Sequence, residues 1–300
     1  MKVLLTGSNG QLGKSIIKLK PIGVDIISTR KKDLNLTNEK ECRSAIIDIN
    51  PDWVINCGAY TNVEKAESEK EIAYDTNGHA LKFFSEELLK TGGKILQIST
   101  DYVFNGKQEF PYKPNQNTSP LNIYGESKVL GENYVKNILG IINRGFVIRT
   151  SWLISPYSNS FVSKILKLLN EKDELNIIND QFSCPTCSEA LAELCWKFVF
   201  LKNEDSKFNF DNQLIYHFSD SGITNWYELS LAIRQYGKEY SLLKNPAIIK
   251  PISSIKYNSI AKRPLYSLLD NVDTIEKLEI KTNHWLENLR NIIENITFLK

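Results

Sequence analysis

KVLLTGSNGQLGKSIIKLKPIGVDIIS, residues 2–28, is the stretch whose reading decides the fold. KVLL and VDIIS are short apolar runs, and between them Leu12, Ile16 and Leu19 recur at helical spacing, the pattern of strand, helix, strand. The turn from the first strand into the helix is TGSNGQLG, in which Gly7, Gly10 and Gly13 spell GxxGxxG. Glycines at such a turn let the backbone approach phosphate oxygens, and the helix N-terminus then faces their negative charge. The pattern alone also fits a tight turn used only for packing. Directly after a strand and at the head of a helix, it predicts a dinucleotide-binding βαβ unit.

Working outward, further apolar runs follow at DWVIN (52–56), KILQIS (94–99) and GFVIRTSW (145–152). Helical stretches separate them, among them EIAYDTNGHALKFFSEELLK (71–90) and one that begins near Tyr124. Strands alternating with helices predict an α/β fold with a doubly wound parallel sheet of Rossmann type. After residue 152 the alternation loosens: NSFVSKILKLLNE, SEALAELCWKFVF and TNWYELSLAIRQYG read as helices and LIYHFS as one more strand. The expected organisation is a dinucleotide-binding domain over residues 1–151, with a returning segment near 188–220, and a smaller, mainly substrate-binding domain over 152–300. KNEDSKFNFDNQ (202–213) reads as an exposed loop.

Composition narrows the class. The 300 residues, 42% hydrophobic and 24% charged, can build a sizeable core. A net charge of +2 gives no field that would gather nucleic acid or an acidic membrane, so an anionic ligand must be held locally. No apolar run reaches the roughly 20 residues of a membrane span, and MKVLLTGSNG turns polar too early for a signal peptide. A cytoplasmic protein is expected. The five cysteines, Cys42, Cys57, Cys184, Cys187 and Cys195, are an odd, scattered set that suits reduced thiols. CPTC (184–187) has no second pair, and His79, His217 and His284 stand at no finger spacing. It therefore reads as small loop residues before a helix, and no metal site is assigned.

Two further stretches carry chemistry. At the end of the second strand, where an acidic residue usually meets an adenosine 2′-hydroxyl, the sequence is STRKKDL, with Thr29, Arg30, Lys31 and Lys32. An arginine there accommodates a 2′-phosphate, so NADPH is expected with NADH as the alternative, and Asp33 and Leu34 fall toward the adenine side. Exposed lysines explain much of the run equally well. In NIYGESKVLGE (122–132), Tyr124 and Lys128 are one helical turn apart and share a face. An ammonium beside a phenol stabilises its anion and lowers its pKa, and the lysine can also bond ribose hydroxyls. Tyrosine could then give a proton to a carbonyl oxygen as hydride reaches its carbon. A hydroxyl to hold that oxygen is expected from the end of the fourth strand, where ISTDYVFNG supplies Ser99, Thr100 and Asp101.

With these residues in place the chain resembles the extended short-chain dehydrogenase/reductase superfamily, and more closely the dTDP-4-dehydrorhamnose reductase family. The likeness runs through TGSNGQLG, NPDWVINCGAYTNVEKAESE, STDYVFNG, PLNIYGESKVLGE, IRTSWL, INDQFSCPT, TNWYEL and AKRPLYSLL. It implies a Rossmann domain for NAD(P)H, a smaller domain for a nucleotide sugar, and reduction of a 4-keto group to give dTDP-L-rhamnose. On matching positions it implies Thr100, Tyr124 and Lys128 as the catalytic set, with Gly10, Gln11 and Leu12 at the cofactor pyrophosphate. Asp33 and Leu34 would lie near the adenine, and Ala59, Tyr60 and Thr61 beside the third strand. Val63, Thr100, Asp101 and Trp152 would face the sugar or its nucleotide, and Arg263 the substrate diphosphate.

The resemblance also has departures. Some members use magnesium bound by glutamates at a dimer contact, one of them in the first helix, where this chain has Ser15. Metal and homodimer are therefore left open. Cys57 and Gly58 stand where alanines are usual. The related 4,6-dehydratases carry Thr-Asp-Glu at the strand-four site, whereas Tyr102 replaces that glutamate here, which points away from a lyase. A reductase of another nucleotide-linked keto sugar, such as a UDP-linked N-acetylated one, is the alternative substrate. A non-catalytic dinucleotide-binding subunit, similar to the regulatory subunit of methionine adenosyltransferase, is the alternative function.

Overall fold

The computed structural model describes residues 1–157, 160–201 and 213–296, so nearly all of the expected loop at 202–213 lies outside the described residues. Five strands, β1 (Lys2–Thr6), β2 (Asp25–Ser28), β3 (Trp53–Asn56), β4 (Lys94–Thr100) and β5 (Gly145–Thr150), are joined by an edge strand at Ile215–His217. The sheet order is edge strand, β5, β4, β3, β1, β2, and every pairing is parallel. The chain leaves β1 toward β2, then crosses back to β3. That reversal opens a crevice beyond the carboxyl ends of β1 and β3, where open α/β sheets bind ligands.

Both faces of the sheet are covered, which is why its strands read as apolar runs instead of alternating. Val3, Leu5, Ile55, Leu96 and Ile148 pack on one face against Leu12 and Ile16 of the helix Gln11–Lys18 and against Leu191 and Phe198 of the helix Ser188–Phe200. On the other face, Leu4, Val54, Ile95 and Val147 meet Ile46, Leu81, Phe84 and Val135. Those four belong to the helices Glu39–Ile49, Ala80–Thr91 and Ile123–Ile138. A separate core built from Ile165, Leu169, Leu229, Ile233, Leu289 and Ile292 joins the helices Phe161–Glu171, Trp226–Glu239 and Trp285–Glu294. Beside it the strands Glu174–Ile178 and Ile248–Ile252 pair in parallel.

The stretch at 71–90 departs from the single helix its sequence predicts. It runs as a helix Lys70–Tyr74, a π-helical turn Asp75–His79 and a helix Ala80–Thr91. The extra residue turns Asn77 inward, where its amide donates to the Tyr60 carbonyl (3.0 Å) and to Ser127 Oγ (2.9 Å) while its oxygen accepts from Tyr60 N (2.8 Å). Three bonds to one buried side chain repay the irregular turn, and π-bulges often mark functional sites.

A buried ion pair fixes the helix Ile123–Ile138 on the sheet. Arg149 on β5 is fully buried and forks onto Glu132 through Nε (2.9 Å) and Nη2 (2.6 Å). Ser99 Oγ on β4 donates to the same carboxylate at 2.5 Å, and Arg149 Nη1 reaches the Pro114 carbonyl at 3.2 Å. A bidentate pair with its spare lone pairs filled meets the condition for tolerating burial, whereas removing one partner strands a charge. Arg149→Met is expected to lower unfolding stability by about 3–5 kcal/mol, and Arg149→Met with Glu132→Gln to recover most of it. Urea unfolding midpoints measure both; a single-variant loss below about 1 kcal/mol would place the pair among those of little consequence.

Candidate active site

The glycine loop has the shape of a diphosphate cradle. Gly7 sits at φ +65°, and a Cβ there would lie 2.6 Å from Gly58 N; a Cβ on Gly13 would lie 2.4 Å from the Gly7 carbonyl oxygen. Gly10 is the N-cap of the helix Gln11–Lys18 and offers no side-chain acceptor to its first N–H groups, which leaves those donors for an anion. The Gln11 amide oxygen accepts from Ser155 Oγ at 2.7 Å, tying the helix start to the second half of the chain. These residues therefore fit the diphosphate of a dinucleotide.

From this loop a cleft of 520 Å³ runs to the end of β4. It brings together Gly7, Gly10, Gln11, Leu12, Gly13, Ala59, Thr61, Thr100, Tyr124, Lys128 and Trp152, all named from the sequence. A second cavity of 150 Å³ shares Gly7 and Ala59 with it and adds Arg30, Leu34 and Tyr60. The two make one groove across the carboxyl ends of the strands.

Tyr124 and Lys128 reach the cleft because their helix starts hard against the end of β4. Asn122 caps it, accepting from Gly125 N at 2.8 Å, and donates its amide to the Lys262 carbonyl at 2.7 Å. A Cβ on Gly125 would lie 2.3 Å from the Tyr102 carbonyl oxygen, so only glycine permits this approach. The Tyr124 ring meets Tyr102 edge-on, with centroids 5.9 Å apart.

The protonation states follow burial. Removal from water pushes the Tyr124 phenol up to about 12, against a smaller lowering by the neighbouring Thr100 hydroxyl. Lys128 is 3% exposed, and its Nζ donates to the Ile98 carbonyl at 2.6 Å; burial lowers it to about 8 despite the opposing charge of Glu132. The sequence leads one to expect an ammonium that depresses the phenol. In the fold, loss of hydration is the larger influence, and the lysine spends its charge on a backbone carbonyl.

Four expected residues line neither cavity. Asp33 is held by Arg30, whose Nε donates to it at 2.6 Å and Nη2 at 3.0 Å, and this pairing brings its carboxyl down to about 2. Val63 opens the short helix Val63–Ala66. Asp101 is buried, accepting from Ser267 Oγ (2.5 Å) and Thr100 Oγ1 (3.1 Å). Arg263 lies 2.6 Å from Glu64, whose other oxygen accepts from Ile260 N at 2.9 Å.

Phe161, Lys164 and Trp226, not singled out in the sequence, also line the cleft. Trp226 stacks on Trp152 at 3.7 Å, with Phe161 4.6 Å from it, and Trp152 holds a left-handed φ of 41°. The TNWYEL block held the signal for Trp226; Phe161 and Lys164 had none, since only folding brings them to the cleft. Ser15 is buried and bonded to Ser188 Oγ at 2.8 Å. Two hydroxyls without a carboxylate do not suit a hard cation, and the described residues contain no group of three or more His, Cys, Asp or Glu side chains able to hold one.

A glycine-lined helix start at the switch point of a parallel sheet, faced by a Thr, Tyr and Lys, defines a dinucleotide-dependent oxidoreductase of the extended short-chain type. Residues 1–298 match the model described as the RmlD substrate binding domain. The spore coat polysaccharide biosynthesis protein SpsK of Bacillus subtilis is 35% identical over 98% of this chain and 97% of its own, and a dTDP-4-dehydrorhamnose reductase of Aggregatibacter actinomycetemcomitans is 32% identical over 97% and 98%. A Bacillus anthracis dTDP-4-dehydrorhamnose reductase in complex with NADP superposes with a TM-score of 0.86, at 32% identity over 97% of this chain and 98% of that one. The chain belongs to the dTDP-4-dehydrorhamnose reductase family.

Burial pushes Asp101 up to about 7 from its ordinary 3.8. Between those values the folded chain keeps a proton that the unfolded chain has released, so stability from this group is complete below about 4 and is lost as pH rises through about 7. Melting temperature is expected to fall across that window, and Asp101→Asn to flatten this component; an unchanged slope in the variant would assign the effect elsewhere.

Proposed function

We propose that this chain catalyses NADPH-dependent reduction of the 4-keto group of dTDP-4-dehydro-L-rhamnose, giving dTDP-L-rhamnose. The observation that carries the proposal is the convergence of Thr100, Tyr124 and Lys128 on one cleft with the glycine loop, in a chain whose family match spans residues 1–298.

When bound, the nicotinamide supplies hydride to the carbonyl carbon. Tyr124 supplies the proton to the oxygen. With its phenol pushed up to about 12, the residue is protonated throughout the neutral range, the state a reductase requires of its donor, and an alkoxide developing beside it is the stronger base. Thr100 stands next to that phenol; its one hydroxyl proton goes to Asp101 at 3.1 Å, and swung from there to the substrate oxygen it gives that oxygen a second hydrogen bond. Lys128 gives one N–H to Ile98; its remaining donors serve the ribose, and its charge stabilises the Tyr124 phenolate left by the transfer until a proton from solvent restores the phenol. Trp152, pinned by Trp226, closes the far wall against the sugar. Arg30, at the adenine end of the groove, favours the 2′-phosphate of NADPH. All five cysteines are unpaired, as a reducing cytoplasm keeps them.

Tyr124→Phe is expected to lower kcat by about 10²–10⁴-fold while leaving NADPH affinity intact, measured as NADPH oxidation with dTDP-4-dehydro-L-rhamnose. Retention of more than a small fraction of turnover would remove Tyr124 as donor. Running the UDP-linked N-acetylated keto sugar in parallel decides the substrate, and silence of the native chain on both would favour a non-catalytic binding protein. Arg30→Ala is expected to raise the KM for NADPH more than that for NADH; equal effects would remove the 2′-phosphate assignment.

A further inference from the structure

The sheet face beneath the Tyr124 helix changes character toward the carboxyl ends of its strands. Leu4, Val54 and Ile95 lie side by side in the parallel register, an apolar row. Two residues further along each strand, on the same face, the register places Thr6 beside Asn56 and Asn56 beside Gln97. All three are buried to within 1% exposure. Buried polar side chains require partners, and these find one another in sequence. Gly58 N donates to Thr6 Oγ1 at 3.0 Å, and Thr6 Oγ1 donates to Asn56 Oδ1. Asn56 Nδ2 then donates to Gln97 Oε1 at 2.6 Å, and Gln97 Nε2 to the Ile98 carbonyl at 2.6 Å. Every donor points the same way, an arrangement in which each bond polarises the next.

The row ends on the carbonyl that also receives Lys128 Nζ at 2.6 Å. Opposite Gln97 the neighbouring strand β3 stops at Asn56. A carbonyl oxygen has two lone pairs. With Gln97 on one, the ammonium is confined to the other and keeps two N–H groups free, and Lys128 lines the cleft where they can be used. Without Gln97 the ammonium could straddle both lone pairs and withdraw from the groove.

We propose that Gln97 is a positioning residue for Lys128: as the last member of a hydrogen-bonded row that starts at Gly58 N and Thr6, it fills one lone pair of the Ile98 carbonyl and so directs the lysine toward the cofactor. The inference rests on the role given to Lys128 in the proposed reduction, but its test does not depend on which keto sugar is turned over.

The test is a double-mutant cycle between Gln97→Met and Lys128→Met, read by NADPH dissociation constant and, where the native chain turns over dTDP-4-dehydro-L-rhamnose, by kcat and KM. In the native background Gln97→Met is expected to weaken NADPH and lower kcat by about tenfold each, the worth of a hydrogen bond to a charged group, with the sugar KM unmoved. In the Lys128→Met background the same substitution is expected to change NADPH affinity by less than about twofold. Gln97→His, which can accept from Asn56 and donate to Ile98, is expected to retain native values. Equal factors in both backgrounds, or a histidine variant as impaired as the methionine one at native melting temperature, would overturn the proposal. Where Gln97→Met lowers the melting temperature, the cycle is run with Thr6→Val, which removes the first side-chain donor of the row; it is expected to weaken NADPH by a smaller factor, again only when Lys128 is present, and additivity there overturns the proposal equally. Loss of turnover in the native chain with an intact NADPH cycle would count against the substrate alone.

Discussion

Arg149 and Glu132 hold the helix that carries Tyr124 and Lys128 at one height above the sheet, and the cleft depends on that height. Lys128 and Glu132 are one turn apart on one face, so fixing the carboxylate between β4 and β5 also sets the lysine over Ile98 and the tyrosine near Thr100. The strand register does the complementary work. Ser99 pairs with Arg149 across β4 and β5, and a slip of one residue would turn both away from the carboxylate. Hydration lost by the two ions offsets much of their attraction, so the pair contributes alignment more than net stability.

The same low-dielectric setting governs the charge of the site. Taking water away favours whichever form of a group is neutral, and it acts in one direction on an acid and in the other on a base. The Tyr124 and Asp101 protons are held more tightly than in water, and the Lys128 proton more loosely. Of the three, only Asp101 changes its charge near neutral pH, since the Tyr124 phenol is uncharged there in either setting and Lys128, at about 8, stays an ammonium.

The sheet, its parallel order and the groove were legible because each rests on local pattern. Apolar runs give strands, GxxGxxG after a strand gives the phosphate turn, and Tyr124 with Lys128 needs only a helical repeat. Residues whose role depends on distant chain were not legible in the same way. Phe161 and Lys164 carry no local mark that they line the same cleft as Thr100, and the π turn at Asp75–His79 serves Asn77, whose partners lie at Tyr60 and Ser127. For Asp101 and Arg263 the resemblance implies substrate contact, and local pattern gives no sign of the internal partners they also have, Ser267 and Glu64. The sign of the Tyr124 shift is hidden from the sequence for a related reason, since spacing shows the nearby lysine but not the loss of hydration.

With the cofactor in the proposed orientation, the pairing of Arg30 with Asp33 makes the adenine end of the groove a site of competition. A carboxylate tethered three residues away already occupies the guanidinium in fork geometry, at the high effective concentration that a short tether gives. An incoming phosphate gains only the difference between two charge-assisted pairs. Discrimination between one dinucleotide and another there is accordingly a ratio, and Asp33 sets its denominator: a stronger internal rival would mute the reward for an extra phosphate, and a weaker one would amplify it.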